Sequence, residues 1–393
     1  MRVAIAGVGV AGGVIATGLA QVPGVEVLAF EKVGAEDHAL AGNGLNVGPN
    51  AMLALQRVLP GMAARLRAIA LPWRQWRAST MGGEPLYHVE LAQVAAADGL
   101  RIRWADLYRA CREQAGAAVR YGAEVRGVRQ AADGRLALQV WRDGQALTVG
   151  DIDLLVAADG RYSALRRQAC GAAPVTHLGV GNFRVLLDDG GNWPIDDLEQ
   201  WFEGPHRLLA FRLRGGLVYL SGNIPIPVGE DIPAHCKTAA WLEQAYRPAC
   251  GGMADAPRAL LRGACRAACQ GALHWSRLQE ATICWHDASA RILFPGDAAH
   301  PMVPTLGQGA TTAIEDAALF VEHARAAVAA GAADVPELLR GYADARRGRI
   351  EFIRRFSWEA SDVLVRADAA YAHVRAKGGR AYHDKLRRLY GGT

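Results

Sequence analysis

The first thirty residues show apolar runs separated by a segment with helical spacing. Residues 3–6 and 25–30 are short runs of β-branched and small apolar residues, a pattern typical of strands buried on both faces. Between them, residues 14–20 place small side chains at helical spacing. The order strand, helix, strand predicts a βαβ unit on a parallel sheet.

Buried-type runs return later in the chain and predict further strands of the same sheet. Residues 152–157 form one such run, and residues 292–294 form another that stops at a Gly-Asp pair. Other strands are predicted at residues 119–128 and 136–149, and other helices at residues 51–58 and from Arg101 onward.

From residue 175 to residue 282 apolar and polar positions alternate, which predicts half-buried strands of an antiparallel sheet. These strands are predicted at residues 183–187, 199–203, 208–213 and 217–224, with helices at 239–246 and 259–268. Helical spacing then covers residues 310–329, 335–356 and 360–389. The pattern predicts an α/β protein with a Rossmann-like domain, an inserted antiparallel sheet and C-terminal helices.

Length and composition limit the possible functions without choosing one. The 393 residues suffice for two domains, or for one large α/β body with a cap. Hydrophobic residues make up 51% of the chain and charged residues 21%, which excludes wholesale disorder. The net charge of +5 comes mostly from scattered arginines. This balance suits small acidic ligands and gives no nucleic-acid footprint.

The seven cysteines are scattered along the chain. Cys265 and Cys269 lie one helical turn apart, but no second pair completes a zinc site, so we predict no metal site. Residues 1–20 are as apolar as a secretory signal, but glycines interrupt them and favour a strand and a loop. No later stretch is long and apolar enough for a membrane span. We therefore expect a cytoplasmic protein with free thiols and no membrane partner.

A glycine-rich motif follows the first predicted strand. Gly7, Gly9 and Gly12 form the pattern G-x-G-x-x-G, and Glu31 stands nineteen positions after Gly12 at the end of the second strand. Such glycines permit a tight turn and the close approach of a pyrophosphate, and the acid can accept hydrogen bonds from a ribose. The motif predicts binding of the adenosine part of FAD or NAD. The alternative is a βαβ turn whose glycines serve geometry alone.

Two later stretches carry a similar signal. Ala158-Asp159-Gly160 and Gly296-Asp297 each follow a predicted buried strand. A carboxylate just past a strand end can accept hydrogen bonds from sugar or ribityl hydroxyls. Gly307-Gln308-Gly309 then opens a predicted helix, whose free N–H groups favour an electron-rich ligand.

In this order and at this separation, the three motifs resemble those of the single-component FAD-dependent aromatic hydroxylases. These group A flavoprotein monooxygenases share the fold of para-hydroxybenzoate hydroxylase, and the resemblance runs to about residue 355. It implies FAD as cofactor, NADH or NADPH as cosubstrate, and O₂. The implied substrate is a small electron-rich aromatic or N-heteroaromatic ring that is hydroxylated, with or without a carboxylate, as for the pyridine, hydroxynicotinate and urate hydroxylases. We expect a monomer or a homodimer.

The resemblance also divides the chain into segments. Residues 1–174 and 283–356 would form the two parts of the FAD-binding domain, with some substrate-domain strands near residues 70–100. Residues 175–282 would form the substrate-binding sheet, and residues 357–393 a C-terminal helical segment.

The same resemblance implies the residues that contact FAD. They are Gly7, Gly9, Val10, Ala11, Gly12, Glu31, Lys32, Asn46, Arg103, Asp159, Gly296, Asp297, Pro304, Gly307, Gly309, Ala310 and Thr311. Arg103 lies in a segment similar to the family's His-Arg-x-x-Leu, and Asp159 in the motif associated with both FAD and NAD(P)H. Two departures stand out: Thr311 follows Ala310 where the family often has asparagine, and residues 35–43 lack a common arginine.

A further match concerns the substrate. Members that act on hydroxylated pyridines and purines carry an arginine and, twelve residues later, a tyrosine facing the ligand, and Arg207 and Tyr219 have this spacing. A hairpin at Arg214-Gly215-Gly216 would bring them close, and the guanidinium would pair with a carboxylate or an enolate-like oxygen. Trp73 and Trp201 are the predicted aromatic contacts. The alternative is a surface arginine and a half-buried tyrosine.

The residues predicted to serve catalysis are His300, Pro304 and Tyr219. His300 follows Asp297, where the flavin is expected, and an imidazole can act as a general base near neutral pH. The alternative for His300 is a structural role. Competing functions are an FAD-dependent reductase of isoprenoid double bonds, an NAD-dependent dehydrogenase and a non-catalytic FAD-binding protein. A halogenase is a further alternative, but this chain lacks the Trp-x-Trp-x-Ile-Pro segment expected of one.

Overall fold

The computed structural model describes residues 1–36, 43–188, 192–331, 334–361 and 370–392. Its strands are β1 (Arg2–Ala6), β2 (Glu26–Glu31), β3 (Gly44–Val47), β4 (Leu71–Trp73), β5 (Gln75–Thr80), β6 (Pro85–Glu90), β7 (Gly99–Arg103), β8 (Val119–Tyr121), β9 (Ala123–Gln130), β10 (Leu136–Arg142), β11 (Gln145–Ile152), β12 (Leu154–Ala157), β13 (Val175–Leu187), β14 (Leu198–Glu203), β15 (His206–Arg212), β16 (Val218–Pro225), β17 (His274–Ala281) and β18 (Ile292–Leu293). Its helices are α1 (Val10–Leu19), α2 (Pro49–Val58), α3 (Pro60–Ile69), α4 (Trp104–Ala115), α5 (Ala164–Cys170), α6 (Ala239–Ala245), α7 (Asp255–Cys269), α8 (Gln308–Ala329), α9 (Val335–Glu359), α10 (Ala370–Ala376) and α11 (Arg380–Tyr390).

A parallel five-stranded sheet, in the order β18–β12–β1–β2–β8, forms the first layer of the fold. β1 lies between β2 and β12, so the predicted βαβ unit is confirmed. β18 joins the edge beside β12, with Ile292 opposite Leu155. Because all these pairs are parallel, the carboxyl ends of β1, β12 and β18 open at the same edge of the sheet. The three predicted motifs follow these strand ends.

Helix α1 packs closely against its neighbours because glycine replaces larger side chains. Every residue of α1 is buried. A Cβ on Gly13 would lie 2.6 Å from the Cβ of Cys111 in α4, and one on Gly18 would lie 2.5 Å from Val321 in α8. These contacts fix the amino end of α1 over the strand ends of the first layer.

The second layer is a seven-stranded sheet in the order β17–β13–β16–β15–β14–β5–β6. The antiparallel sheet predicted from residue 175 to residue 282 is confirmed as its larger part. β5 and β6 come from residues 75–90 and extend it, and β5 runs parallel to β14. The alternation of apolar and polar residues within each strand did not indicate that β5 and β14 would pair, because strand pairing depends on tertiary packing.

A small sheet of β3, β7 and β4 lies between the two layers. β3 approaches the second layer closely at Gly44, where a Cβ would lie 2.8 Å from the Cβ of Tyr219 and 2.9 Å from the ring of Phe211. Glycine at position 44 thus lets the cofactor half of the molecule touch the face of the seven-stranded sheet.

Two of the predicted strands are each divided into two strands by a turn. Residues 136–149 form the hairpin of β10 and β11, since Asp143 and Gly144 have φ of 52° and 77° and make a tight turn. Residues 119–128 are divided at Gly122, which has φ of 66°, into β8, which pairs with β2, and β9, which pairs with β10.

The helix predicted from Arg101 begins at Trp104 instead, because residues 101–103 pair with β3 as part of β7. The helix predicted over residues 360–389 is divided between α10 and α11, with Gly378 and Gly379 between them. Residues 362–369 of that prediction lie outside the described residues, as do residues 37–42 of the stretch that lacks an arginine. Within the described ranges, none of the helices combines the length and the apolar character that a bilayer crossing requires.

Candidate active site

A cavity of about 240 Å³ lies between the two layers, beside the edge where the three motifs meet. Its floor is the face of the seven-stranded sheet, and residues 302–310, at and before the start of α8, line the opposite side. Residues 43–46, Trp73 and Trp104 complete the wall. A concave space that combines apolar walls with converging polar groups is the usual form of a ligand site.

Glycine is required at two positions of the first motif. Gly7 has φ of 92°, and a Cβ there would lie 2.6 Å from the carbonyl oxygen of Ala158. A Cβ on Gly12 would lie 2.0 Å from the carbonyl oxygen of Gly7. Gly9 is the N-cap of α1 and has no side-chain capping bond. The N–H groups at this helix end, which begins with Val10 and Ala11, fit the negative charge of a pyrophosphate.

Glu31 is buried at the end of β2, where it braces this loop. One carboxylate oxygen accepts the N–H of Val8 at 2.8 Å, and the other accepts the N–H of Val33 at 3.2 Å. Arg112 lies 3.6 Å from the same carboxylate. Lys32, the next residue, is exposed. A contact between Glu31 or Lys32 and the ribose of FAD stays a prediction.

Asp297 lines the cavity just past β18. The turn before it needs glycine, since Gly296 has φ of 58° and a Cβ there would lie 2.9 Å from the Cβ of Ala313. Burial raises the pKa of Asp297, and the positive charge of Arg161 opposes this rise. Arg161, which also lines the cavity, therefore helps to keep the carboxylate ionised and able to accept hydrogen bonds from ribityl hydroxyls.

Helix α8 directs its amino end toward the cavity. Gly307 is its N-cap in the left-handed conformation, with φ of 64°, and no side chain caps the helix. Pro304, Gly307, Gly309 and Ala310 line the cavity. The Thr311 hydroxyl instead accepts the N–H of Gly48 at 2.9 Å and donates to the carbonyl of Gly307 at 3.1 Å. The Thr311 side chain thus joins β3 to α8, which explains why threonine is accommodated at this departure from the family.

The buried polar atoms without a hydrogen-bond partner include three in this region. They are Oδ1 of Asn43 and Oδ1 of Asn46, both of which line the cavity, and Nε of Arg103, which stands at the N-cap of α4. Buried polar groups are normally hydrogen-bonded, so such atoms mark the place of a polar ligand. Together with the glycine loop and Asp297, they show that the residues present fit FAD.

Asp159 is exposed just past β12, and its carboxylate accepts the N–H of Leu165 at 3.3 Å in the first turn of α5. Arg166, in the same helix, is buried and donates to the carbonyl oxygens of Ala298 at 2.9 Å and Ala299 at 3.2 Å. The second motif thus holds the loop that carries Asp297. Whether Asp159 contacts FAD stays a prediction.

Arg207 and Tyr219 both line the cavity from the seven-stranded sheet, and both are buried. The strand predicted at residues 208–213 begins earlier, so that Arg207 is the second residue of β15. Its cross-strand partner is Asn223, whereas Tyr219 is opposite Phe211. The two residues therefore share one face but lie four positions apart, or roughly 13 Å along the strand.

Sequence analysis missed four polar residues on the same face. They are Asn182 and Arg184 in β13, and Ser221 and Asn223 in β16, and all four line the cavity. A signal was available, since polar residues at alternate positions of strands predicted to lie in a sheet interior indicate a polar site on one face. Trp104, Leu209 and Met302 were also missed and add apolar surface to the cavity.

Trp73 lies where it was predicted, in the wall of the cavity, with its ring edge-on to Trp76 at 6.2 Å. The predicted placement of Trp201 is wrong. Leu198 of the same strand lines the cavity, and alternation turns Trp201 to the opposite face. There it belongs to a separate core with Leu208.

The placement of His300 beside the reacting ring is also wrong. The imidazole is 1% exposed, and its Nε2 lies 2.6 Å from a carboxylate oxygen of Asp316. The same oxygen accepts the N–H of Gly296 at 2.8 Å, and the ring packs against Trp285. His300 is not among the described residues that line the cavity. This geometry supports a structural role, in which His300 and Asp316 hold the turn before Asp297.

We expect His300→Gln to keep the shape of the pH profile of kcat while lowering stability. Loss of a buried hydrogen bond to a charged group should reduce the free energy of unfolding by about 1.5–3 kcal/mol. Urea unfolding and a pH series of turnover would measure the two effects. Disappearance of one limb of the pH profile would instead restore His300 as a catalytic base.

The fold and the site define the class of the protein. A Rossmann-like sheet with a glycine loop, a second sheet and a cavity between them is the arrangement of the group A flavoprotein hydroxylases. The FAD binding domain family matches residues 1–357, and the chain belongs to this family.

Similar proteins agree with this assignment. A 3-amino-4-hydroxybenzoate 2-monooxygenase of Streptomyces platensis is 31% identical over 91% of this chain and 87% of its own length. A salicylate hydroxylase of Pseudomonas putida is 29% identical over 94% of this chain and 87% of its own. The crystal structure of Klebsiella pneumoniae HpxO with FAD and uric acid superimposes with a TM-score of 0.82, at 21% identity, over 99% of this chain and 96% of that one. This last likeness shows the fold.

The chain is thus an FAD-dependent aromatic-ring monooxygenase with NAD(P)H as cosubstrate. The alternative functions, a reductase of isoprenoid double bonds or a plain NAD-dependent dehydrogenase, are not favoured by these similarities.

Proposed function

We propose that the chain hydroxylates a small aromatic or N-heteroaromatic acid that also carries a ring hydroxyl. The observation that supports this most is a single cavity that joins Arg207 and Tyr219, on the sheet, to Asp297 and the start of α8. Relatives act, by their names, on aminohydroxybenzoate, salicylate and hydroxynicotinate, which are rings with both a carboxylate and a hydroxyl. A substrate of this kind suits a cavity with a cationic floor.

In this proposal Arg207 anchors the carboxylate of the substrate. A guanidinium can form two parallel hydrogen bonds with a carboxylate, which fixes the orientation of the ring as well as its position. Tyr219 contacts a ring hydroxyl or carbonyl. Burial raises the pKa of Tyr219, a rise opposed by Arg184, by a hydrogen bond with Ser221 and by Arg207. Tyr219 therefore stays protonated at neutral pH and can donate a hydrogen bond to substrate oxygen.

The flavin side of the cavity would be held by the three motifs. Bound FAD accepts a hydride from NAD(P)H and activates O₂. The amino end of α1 would bind the pyrophosphate, Asp297 would accept hydrogen bonds from ribityl hydroxyls, and the amino end of α8 would favour an electron-rich group of the cofactor. Pro304, whose fixed φ stiffens the loop, would shape the wall between cofactor and substrate.

Apolar side chains would protect the reaction from water. Trp73, Trp76, Trp104, Leu209 and Phe211 line the cavity around its polar groups. They exclude solvent and hold the ring in place, and both effects favour oxygen transfer to the ring over wasteful release.

Arg207→Ala is the variant that tests this proposal. A charge-assisted hydrogen bond contributes about 1.5–3 kcal/mol, so we expect the substrate constant to rise by roughly one to two orders of magnitude. Arg207→Lys keeps the charge but loses the fork, and it should recover only part of the affinity. Aromatic-stimulated NAD(P)H oxidation, with salicylate and hydroxynicotinate as probes, measures both.

FAD content serves as the control, because no flavin motif lies in the seven-stranded sheet. It should be the same in both variants as in the parent protein. If Arg207→Ala binds its substrate as tightly as the parent, the carboxylate is held elsewhere. If no aromatic ring stimulates NAD(P)H oxidation in the parent, the proposed function itself is overturned.

We also propose that the protein is located in the cytoplasm. All seven cysteines are free thiols in the structure, including the exposed Cys170 and Cys250, and free exposed thiols suit a reducing compartment. NAD(P)H, the cosubstrate, is also an intracellular reductant.

A further inference from the structure

Two of the seven thiols lie side by side, where the chain passes between the two large sheets. Sγ of Cys284 lies 3.4 Å from Sγ of Cys170, although the residues are 114 positions apart in the chain. All seven cysteines belong to the described residues, and no hydrogen bond joins any other two of their thiols. The fold, and not proximity in the sequence, therefore brings this pair together.

The two residues stand where the chain leaves the five-stranded sheet and where it returns. Cys170 is the last residue of α5, and β13 of the seven-stranded sheet begins shortly after it, at Val175. β17 of the same sheet ends at Ala281, and Cys284 follows before β18 joins the five-stranded sheet. A covalent bond between the two sulfurs would therefore close β13 to β17 into one loop at its base.

Hydrogen bonds hold the two segments against one loop. Arg166 of α5 donates to the carbonyl oxygens of Ala298 at 2.9 Å and Ala299 at 3.2 Å. The N–H of Cys284 donates to the same carbonyl oxygen of Ala299 at 3.0 Å. The end of α5 and the segment around Cys284 are thus fixed beside each other, next to the loop that carries Asp297.

The thiol pair is open to solvent and has room to react. Cys170 is exposed and Cys284 is half-buried. A disulfide needs an S–S distance of about 2 Å, so the two sulfurs must approach by roughly 1.4 Å. Gly171 follows Cys170 with φ of 79°, and nothing lies within 4 Å of the position that its Cβ would take. No neighbour of Gly171 therefore blocks a small movement at the end of α5.

We propose that Cys170 and Cys284 form an oxidation site, which hydrogen peroxide converts into a disulfide. One thiol loses its proton and attacks peroxide, the O–O bond breaks, and a sulfenic acid forms; the released hydroxide takes up the proton and leaves as water. The other thiol attacks the sulfenic sulfur, the S–S bond forms, the S–O bond breaks, and a second water leaves with the remaining proton. The two sulfurs are oxidised, and both oxygens of peroxide are reduced.

Peroxide is an oxidant that this class of enzyme can itself supply. NAD(P)H oxidation that is not coupled to ring hydroxylation passes two electrons to O₂, and with two protons these give hydrogen peroxide. In a reducing compartment the two thiols are the resting form, and the disulfide is transient.

The two thiols have different parts in the reaction. Desolvation by the surrounding protein and the neighbouring Cys284 thiol raise the pKa of Cys170 to about 12, so Cys170 stays protonated at neutral pH. Because the thiolate is the form that attacks peroxide, we assign the first attack to Cys284 and the closing of the disulfide to Cys170.

Peptide mapping without reduction tests the inference. The intact holoenzyme is treated with hydrogen peroxide, its remaining thiols are blocked with an alkylating reagent, and a protease digest is analysed by mass spectrometry. The parent protein should give a linked peptide that contains Cys170 and Cys284 and is two hydrogen atoms lighter than its two parts. Dithiothreitol should remove the link.

Four single variants provide the comparison. Cys170→Ser and Cys284→Ser should both lack the linked peptide, and FAD content checks that they fold. Cys250→Ser and Cys269→Ser are the matched controls, because both residues are exposed and neither has a hydrogen bond to another thiol. Both controls should form the link as the parent protein does.

The oxidised protein should also be more stable than the reduced protein. A bond across 114 positions of the chain restricts the unfolded state, which should raise the thermal midpoint by roughly 3–8 °C. Dithiothreitol should reverse the rise. Cys250→Ser should show the same rise after peroxide treatment, whereas Cys170→Ser should show none.

Three results would overturn the inference. In the first, Cys170 and Cys284 of the peroxide-treated parent protein stay thiols or become separate sulfinic acids. In the second, either residue is linked to a different cysteine. In the third, the link forms but lowers the thermal midpoint, which would mean that the fold does not hold the two sulfurs in position to bond. The proposed function is tested separately, by aromatic-stimulated NAD(P)H oxidation.

Discussion

Replacing Gly12 by alanine is expected to give a colourless protein of reduced stability. The added Cβ would lie 2.0 Å from the carbonyl oxygen of Gly7, and backbone cannot yield as a flexible side chain can. Helix α1 must therefore shift away from β1, and overpacking of this kind costs about 1–3 kcal/mol. The shift also displaces the N–H groups that face the pyrophosphate. The ratio of flavin to protein absorbance and the thermal midpoint of the apoprotein measure the two losses.

Gly9→Ala is the matched control in the same loop. A Cβ there meets only the ring of Tyr108, at 3.3 Å, and a ring edge can move by a few tenths of an ångström. This variant should lose affinity for FAD, because the methyl group crowds the pyrophosphate, but its apoprotein should melt near the parent temperature. Full flavin content in both variants would show that the first motif does not bind the cofactor.

The second large effect is expected from Arg346→Met. Arg346 is completely buried, and it pairs with Asp316 at 2.7 Å and with Glu315 at 3.3 Å. Removing one partner of a buried ion pair leaves uncompensated charge and costs about 3–5 kcal/mol. Because Asp316 also holds Gly296 and His300, we expect weaker FAD binding together with the loss of stability. Urea unfolding and flavin titration measure these changes.

Arg347→Met is the control on the same helix. Arg347 is exposed and lies 3.4 Å from Asp344, and surface pairs of this kind contribute little. It should unfold nearly like the parent protein. If Arg346→Met also unfolds nearly like the parent protein, the buried ion pair has no net effect on stability. The introduced methionine would then stabilise the fold as much as the ion pair does.

The difference in the free energy of unfolding between Arg346→Met and the parent protein should become smaller in acid. Burial by itself would raise the pKa of Asp316, but the charges of His300 and Arg346 and its hydrogen bonds lower that pKa from 3.8 to about 2. A carboxylate with a depressed pKa stabilises the folded state above its unfolded pKa, and this contribution is lost as the pH falls through the folded value. The parent protein therefore loses the contribution of Asp316 between about pH 4 and pH 2.

The cofactor half of the site could be predicted from the sequence because its signals are local. Gly7, Gly12 and Asp297 each lie within a few residues of a buried strand, and parallel strands bring their ends to one edge. Glycine is needed at positions 7 and 12 because backbone atoms lie close to both of them.

The substrate half was less predictable because its partners are set by tertiary packing. The spacing of Arg207 and Tyr219 indicated one face, but it did not show that Asn223 and Arg184 stand beside them. Trp201 was misplaced because the start of the strand decides which of two adjacent aromatic residues faces the cavity. His300 was misplaced because its neighbour Asp316 comes from the next helix.

The contact between β3 and α8 has a consequence for biogenesis. Gly48 donates to Thr311 across 263 positions of the chain, and Ile292 of β18 pairs with Leu155 of β12. At about 5–20 residues per second, a ribosome needs roughly 13–53 s to make the residues between Gly48 and Thr311. β12 ends 135 positions before Ile292 of β18, so its outer edge stays unpaired for roughly 7–27 s at this rate. We therefore expect the pocket for FAD to be complete only after Thr311 has been made.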